Sequence, residues 1–324
     1  MHKLIAAAPD KVVVADVPRP DCGPRGVLVK AVRSLVSPGS ELNRIRRLPG
    51  DRDSKWPNHD LGYATSGVVV EVGAEVDTFQ VGQRVATMQH HQEYVVSPAV
   101  GDDIRSPLPL PDDIEWDRAP FVLWGRSCYN WTMKADIRPG ETVAVVGAGL
   151  VGLLMIMWAR LRGPAQVIAV DLAPSRLRLA SAAGAEHLVC PAEGDPVEAV
   201  RALTHGKMAQ CTIHCAAGAH VEAFELSQRI TATGGRVVLL GIHSEHLTIL
   251  RHEFLNKDLL GGGTDYDYSP ELQLQAMKLL QAGKLPVERI VTHNVPYTMA
   301  PEIYDMLNFR SHEAGAVLLR WDMD

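Results

Sequence analysis

The sequence predicts an α/β protein with two unlike parts, a barrel-like β domain and a doubly wound parallel sheet. Three observations carry this expectation. Short β-prone runs, punctuated by Gly and Pro, fill roughly the first third of the chain. From Pro139 onward, strands alternate with helices of roughly 10–15 residues, the rhythm of a parallel sheet covered on both faces. A glycine-rich turn, Gly147-Ala148-Gly149-Leu150-Val151-Gly152, opens the first of those helices directly after an apolar strand.

Composition narrows the function classes. A chain of 324 residues suggests two domains or one large one. With 46% apolar and 22% charged residues it buries a sizeable core without staples, which excludes disorder and a disulfide-held miniprotein. The net charge of −6 shows no basic excess that would advertise a nucleic acid or an anionic membrane. Five cysteines, an odd and small number, point to reduced thiols rather than a disulfide framework. The start, MHKLIAAAPDKVVV, carries too short an apolar stretch for a signal peptide. No run approaches the roughly 20 apolar residues of a membrane span. The expectation is a cytoplasmic protein acting on a small molecule.

The elements follow in order. Val12–Val17 is a short strand and Gly26–Val36 a longer one, ended by the Pro38-Gly39 turn. Ser66–Val72, Val81–Met88 and Glu93–Ser97 are further strands. Between Asn43 and Asp60 the polar stretch NRIRRLPGDRDSKWPNHD reads as a long surface loop or a short irregular helix. The second part pairs strand Thr142–Val146 with helix Leu150–Leu161. It then pairs Gln166–Val170 with Pro174–Ala183, His187–Cys190 with Pro196–Leu203, and Cys211–Ala216 with His220–Ile230. Arg236–Gly241 is a further strand. The tail adds helix Pro270–Gln281, a strand near Ile290–Val295, a helix near Ala300–Leu307 and a strand near Ala316–Arg320.

The glycine turn gains weight from its surroundings. The run Val143–Val146 precedes it, an apolar helix follows, and Asp171 ends the next strand about 20 residues on. This is the order of a dinucleotide-binding fingerprint. Gly147 permits the tight turn, Gly149 lets backbone approach a pyrophosphate, and Gly152 lets helix and strand pack closely. The first helical residues, Leu150 and Val151, offer free N–H groups to phosphate. A carboxylate at Asp171 accepts hydrogen bonds from ribose hydroxyls and repels a 2′-phosphate, which favours NAD over NADP. Arg176 reads either as a ribose contact or as a solvated first-turn residue.

The two parts together resemble the medium-chain dehydrogenase/reductase superfamily. In that family a GroES-like barrel precedes a Rossmann domain, and the chain returns to the barrel at its end. The resemblance rests on VLVKAVRSLVSPGSE at residues 27–41, GYATSGVVVEVG at 62–73, Val81-Gly82-Gln83-Arg84-Val85, Glu93-Tyr94-Val95 and GGRVVLLG at 234–241. It implies a GroES-like domain at 1–124 and 265–324 and a Rossmann domain at 125–264. It also places Gly241 on the strand lining the nicotinamide. The family's catalytic zinc takes Cys, His and carboxylate ligands. Here the matching positions hold Ser37 or Pro38, Tyr63, Ala64 and Trp124, and the stretch VATMQHHQE lacks the family's structural-zinc cysteines. The expectation is a zinc-free member.

Some other donor or base must then serve the substrate oxygen. Tyr63 is the first candidate: a phenol donates when neutral and acts as a base if its pKa is lowered. Ser40 aligns with the family's proton-relaying Ser/Thr, Glu41 with an outer acid, and His59 is the candidate outer relay. Two adjacent histidines, His90 and His91, point opposite ways if on a strand, so at most one faces the cleft. Cys211 and Cys215 read as core packing, and Cys128 as a small buried residue at the domain junction. Arg44, Arg46 and Arg47 read as a solvated face before an anion site. The resemblance implies hydride transfer between NAD and a secondary alcohol or ketone of a small, polar, sugar- or polyol-like substrate. The alternatives are a zinc-free enoyl or quinone reductase, and a cofactor-binding protein without turnover. The apolar strand Leu259–Gly263 invites pairing at the sheet edge, giving a homodimer or homotetramer.

Overall fold

The structure, a computed structural model, describes residues 1–46, 56–99, 105–218, 221–243, 245–262 and 270–322. Much of the expected loop from Asn43 to Asp60 lies outside these, as do Arg47, His220, Gly263 and the expected domain boundary at 264/265. Among the described residues no helix is long and apolar enough to cross a membrane.

The chain begins with a ribbon of β1 (His2–Ala8) and β2 (Lys11–Asp16), paired antiparallel. Leu4 and Ala6 of β1 alternate inward, the period-two pattern of a half-buried strand. Next come β3 (Gly26–Val36), α1 (Pro38–Ile45), β4 (Thr65–Val72), β5 (Arg84–Thr87), β6 (Tyr94–Pro98) and the short β7 (Leu108–Pro109). The stretch expected to turn at Pro38 and continue as a loop is instead a helix. Pro38 stands in its first turn, where no N–H is needed, and Leu42 and Ile45 fall on one buried face.

A 14-residue helix, α2 (Phe121–Lys134), leads out of this domain. The parallel part then runs β8 (Thr142–Val146), α3 (Leu150–Arg160), β9 (Gln166–Val170), α4 (Pro174–Ala183), β10 (His187–Val189), α5 (Pro196–Leu203), β11 (Ala209–His214), α6 (Val221–Ile230) and β12 (Thr231–Leu239). A one-turn α7 (Arg251–Phe254) and edge strand β13 (Asp258–Gly261) follow. The tail holds α8 (Pro270–Gln281), β14 (Val291–Pro296), α9 (Ala300–Phe309) and β15 (Ala316–Arg320). Three strands differ most from expectation: β5 is only Arg84–Thr87 where Val81–Met88 was expected, β11 stops at His214, leaving Cys215 beyond it, and β12 starts at Thr231.

The parallel sheet has the order β10-β9-β8-β11-β12-β13, the doubly wound arrangement whose ligand crevice lies where the order reverses, between β8 and β11. The other large sheet has the order β14-β15-β3-β4-β5-β7, with β6 also on β3. Strand β3 serves β6 along Gly26–Lys30 and β15 along Arg33–Val36, with β4 on its other edge. The last strand of the chain therefore completes the first domain, as the resemblance implies.

The two sheets share one apolar cluster. It gathers Leu35, Ala64 and Leu318 from the barrel side, Trp124 and Trp131 of α2, Leu153 and Met157 of α3, and Ala276 and Leu280 of α8. The expected division at 124/125 falls inside α2, whose residues on both sides of it join this cluster. Helix α8 seats its Ala276 directly over Gly125, where an added Cβ would come within 2.0 Å of the Ala276 Cβ.

Gly125→Ala should therefore destabilise the protein by about 1–3 kcal/mol through overpacking, although alanine favours a helix. Adding Ala276→Gly should recover part of that loss. Urea unfolding of the parent, both single variants and the double variant measures the coupling; an unchanged midpoint for Gly125→Ala would show that the helices do not touch there.

Candidate active site

The cofactor side is built by the glycine turn. Gly147 has φ +94°, and a Cβ there would lie 2.5 Å from the Ala216 nitrogen. A Cβ on Gly152 would meet the Gly147 carbonyl oxygen at 1.9 Å. Both positions thus require glycine for packing. Gly149, the N-cap of α3, differs: a Cβ there meets nothing within 4 Å. Its open face stands above the helix N-terminus, where the amides of Leu150, Val151 and Gly152 have no intrahelical acceptor.

Asp171 fastens this turn. Its Oδ2 accepts from the Ala148 N–H at 2.7 Å and its Oδ1 from the Ala173 N–H at 2.8 Å. The carboxylate thereby links the glycine turn to the loop entering α4. Arg176 is neither solvated nor free to swing. Its Nη2 donates to the Ser311 carbonyl at 2.8 Å, and its Nη1 lies 4.0 Å from Asp171. Ser175 Oγ also donates to the His312 carbonyl, at 2.6 Å, so the start of α4 is tied to the segment ahead of β15. Gly241 follows β12, and a Cβ there would stand 1.7 Å from the Ala216 oxygen, so the ends of β11 and β12 are in close contact.

On the substrate side the structure brings together the three positions that the family resemblance places at the zinc. The Tyr63 hydroxyl donates to Ser37 Oγ at 2.5 Å and stands 3.5 Å from Ser40 Oγ. The rings of Tyr63 and Trp124 lie 5.8 Å apart. Tyr63 packs against the apolar cluster at the junction of the two domains. Burial raises its pKa above the ordinary phenol value, outweighing the opposing effect of the two serine hydroxyls. Tyr63 is therefore a neutral donor, not a standing base.

His59 does not occupy the relay place expected of it, and Glu41, expected as an outer acid, lies behind the site. Glu41 does not face the cleft: it is fully buried. Its Oε1 accepts from the Ser37 N–H at 2.7 Å, its Oε2 accepts from the Tyr304 hydroxyl, and His91 Nε2 lies 3.2 Å away. The carboxylate holds the start of α1 against α9 and has no path to a substrate. His59 is exposed, and no hydrogen bond ties it to Tyr63 or Ser40 among the described residues. The histidine fastened beside Tyr63 is His90, whose Nδ1 meets the Gly62 carbonyl at 2.9 Å and whose Nε2 lies 3.4 Å from Asp60. Burial lowers its pKa. His91 turns the other way, with Nδ1 2.8 Å from Ser34 Oγ, although the two histidines lie between β5 and β6 and not in a strand.

A histidine pair at the end of β11 was not foreseeable from the sequence. His214 Nε2 meets His243 Nε2 at 2.9 Å. The only sequence signal was a histidine closing an apolar strand, Cys211–His214. Burial and His243 together press the His214 pKa down to about 3. Among the described residues no three His, Cys, Asp or Glu side chains gather as a metal site.

Comparison with known proteins agrees with this architecture. Residues 23–101 match the alcohol dehydrogenase GroES-like domain, and residues 151–274 match the zinc-binding dehydrogenase family. The chain is 27% identical to the L-threonine 3-dehydrogenase of Bacillus licheniformis, over 94% of this chain and 93% of that one. It is 26% identical to the sorbitol dehydrogenase of Ovis aries, over 93% and 92%. A solved structure from Sinorhizobium meliloti 1021, described as a zinc-binding dehydrogenase and bound to NADP, superposes with a TM-score of 0.82 at 23% identity, covering 98% of each chain. The glycine turn at the mouth of a doubly wound sheet, a barrel closed by the last strand and these relatives agree: the chain belongs to the medium-chain dehydrogenase/reductase superfamily and is an oxidoreductase of its alcohol dehydrogenase branch.

Proposed function

We propose that this dehydrogenase uses NAD to interconvert a secondary alcohol and its ketone on a small, polar, sugar- or polyol-like substrate, without zinc. The observation that carries the reading is the Tyr63 hydroxyl set on Ser37 beside Trp124, at the positions where the family's metal ligands fall. A hydroxyl, a phenol and an indole do not fit zinc, which takes thiolate, imidazole or carboxylate. The threonine and sorbitol relatives both act on compounds that carry secondary alcohols, which supports the substrate class.

Bound NAD supplies the hydride acceptor, and oxidation of an alcohol also releases one proton. Tyr63 handles that proton. Its O–H is already directed at Ser37 Oγ, so its oxygen keeps lone pairs for a substrate hydroxyl. A proton taken from the substrate onto Tyr63 is matched by the Tyr63 proton passing to Ser37 and the Ser37 hydroxyl proton passing on to water, so neither a phenolate nor an oxonium persists. In ketone reduction the same hydroxyls donate toward the oxygen that gains charge. Glu41 acts indirectly, by fixing the Ser37 backbone.

Asp171 supports NAD over NADP. Each of its oxygens accepts one backbone N–H and retains acceptor capacity for a ribose hydroxyl. Its charge opposes a 2′-phosphate, and the guanidinium of Arg176 is held by Ser311. A homodimer or homotetramer is proposed through β13, where Leu259 is exposed at the sheet edge.

Four measurements test this reading. NAD should bind at least about tenfold more tightly than NADP by calorimetry, and Asp171→Ser should narrow the gap; equal affinities in the parent would refute the assignment. Tyr63→Phe should lower turnover by about 10²–10⁴-fold with little change in NAD affinity, while His59→Asn changes neither turnover nor its pH profile. Turnover should also survive a strong chelator, and stoichiometric zinc lost together with activity would overturn the zinc-free mechanism. Light scattering at micromolar concentration should give a dimer or tetramer mass, and a monomer would remove β13 as a pairing edge.

A further inference from the structure

Helix α1 and its cap carry a polar stripe. Ser37 is the N-cap, Ser40 follows three residues on and Arg44 four beyond that. Residues at this spacing share one face of a helix. The near end of the stripe is the site described above, where the Tyr63 hydroxyl donates to Ser37 Oγ and stands 3.5 Å from Ser40 Oγ. Arg44 sits about one turn farther along the axis than Ser40, roughly 6 Å. Side chains on a helix lean toward its N-terminus, so the Arg44 stem leans back toward the Tyr63 end. Burial dominates the Tyr63 pKa and raises it, and Arg44 is among the groups that press it the other way. The guanidinium is thus within electrostatic reach of the phenol.

This guanidinium is anchored at one corner and open elsewhere. Its Nη1 donates to the Asp60 carbonyl at 2.6 Å. Among the described residues it makes no other hydrogen bond and no ion pair. The Asp60 carboxylate is directed elsewhere, 3.4 Å from His90 Nε2. A guanidinium carries five N–H donors in a planar fork that matches the paired oxygens of a carboxylate or phosphate. Most of the Arg44 fork is therefore available, in an exposed position. Arg46 is a contrast on the same helix end. Its Nε donates to Asn308 Oδ1 at 2.8 Å and its Nη2 to the Asn308 carbonyl at 3.3 Å, so it is bound to the end of α9.

We propose that Arg44 is a specificity-determining residue that selects an anionic substrate, a polyol-like chain bearing a carboxylate or a phosphate ester, with the anion on Arg44 and the reacting carbinol at Tyr63. The inference rests on the Tyr63 reading above. A separation of about one helical turn between the two ends suits an extended chain of a few carbons lying along the stripe. Arg44 touches only the end of the substrate that does not react. Its contribution is the same in ground and transition states, so it falls on KM and not on kcat.

Steady-state kinetics of the intact protein with NAD and three probes tests this: sorbitol, gluconate and sorbitol 6-phosphate. The two anions separate carboxylate from phosphate. At least one of them should exceed sorbitol in kcat/KM by about tenfold or more. Arg44→Gln should raise KM for that anion by about 10–100-fold with little change in its kcat, the loss expected of a charge-assisted hydrogen bond. Arg44→Lys, which keeps the charge without the fork, should retain part of the preference. Arg46→Gln removes an equal charge two residues away and should leave the ratio of anion to sorbitol unchanged. A parent enzyme without preference, a preference that survives in Arg44→Gln, or an equal loss in Arg46→Gln overturns the inference. Normal turnover in Tyr63→Phe with the Arg44 preference intact would overturn the Tyr63 reading instead. Turnover of none of the three probes by the parent would remove the polyol reading and the inference with it.

Discussion

A single buried carboxylate organises the substrate side of this enzyme. Glu41 is fully buried, and a charge removed from water must be surrounded by donors or it neutralises. Its partners come from three distant parts of the chain: the Ser37 amide ahead of α1, His91 ahead of β6, and Tyr304 on α9. A second layer extends from His91 through Ser34 to the Trp321 indole, whose N–H donates to the same hydroxyl at 2.8 Å. The neighbouring Gly62 has φ +82°, and a Cβ there would strike the His91 ring at 2.5 Å. Tyr63, the next residue, thus leaves a backbone whose course is set by the packing of His91. The position of the phenol is a consequence of how a charge is housed about one helical turn away.

The cofactor side uses the same device in weaker form. Asp171 is an acceptor for two amides, and its loop is bonded to residues 311 and 312. The domain that binds the nucleotide is therefore latched to the segment preceding the last strand of the other domain. Together with the apolar cluster shared by α2, α3 and α8, these contacts make the cleft a product of both halves. Neither half contains it alone.

Local chemistry was legible in the sequence where neighbours in the chain decide the structure. Strands β3 and β15 and helix α4 have the expected bounds, because apolar periodicity and Gly or Pro punctuation act over a few residues. The glycine turn was legible for the same reason. Helix α1 was missed because Pro38-Gly39 reads as a turn, while burial of Leu42 and Ile45 against α9 and β1 decides otherwise. Strand β1 was missed because its weak run HKLIAAA becomes a strand only when paired with β2. The Glu41–His91–Tyr304 and His214–His243 contacts span separations that no window of sequence reveals. His59 looked like a relay by spacing alone, and His90 holds the place beside Tyr63 instead.

The double duty of β3 has a consequence for how the molecule is assembled. On one edge, its Arg33–Val36 half finds its partner only in β15, at residues 316–320. All six strands of the parallel sheet lie between Thr142 and Gly261. As the chain emerges from the ribosome, that sheet has every strand it needs while one edge of half of β3 still lacks a neighbour. The unpaired edge is an invitation to stray association for as long as the remaining chain takes to appear. The charged side chains of Lys30 and Arg33 on this strand are suited to keeping such an edge in solution until its own terminal strand arrives.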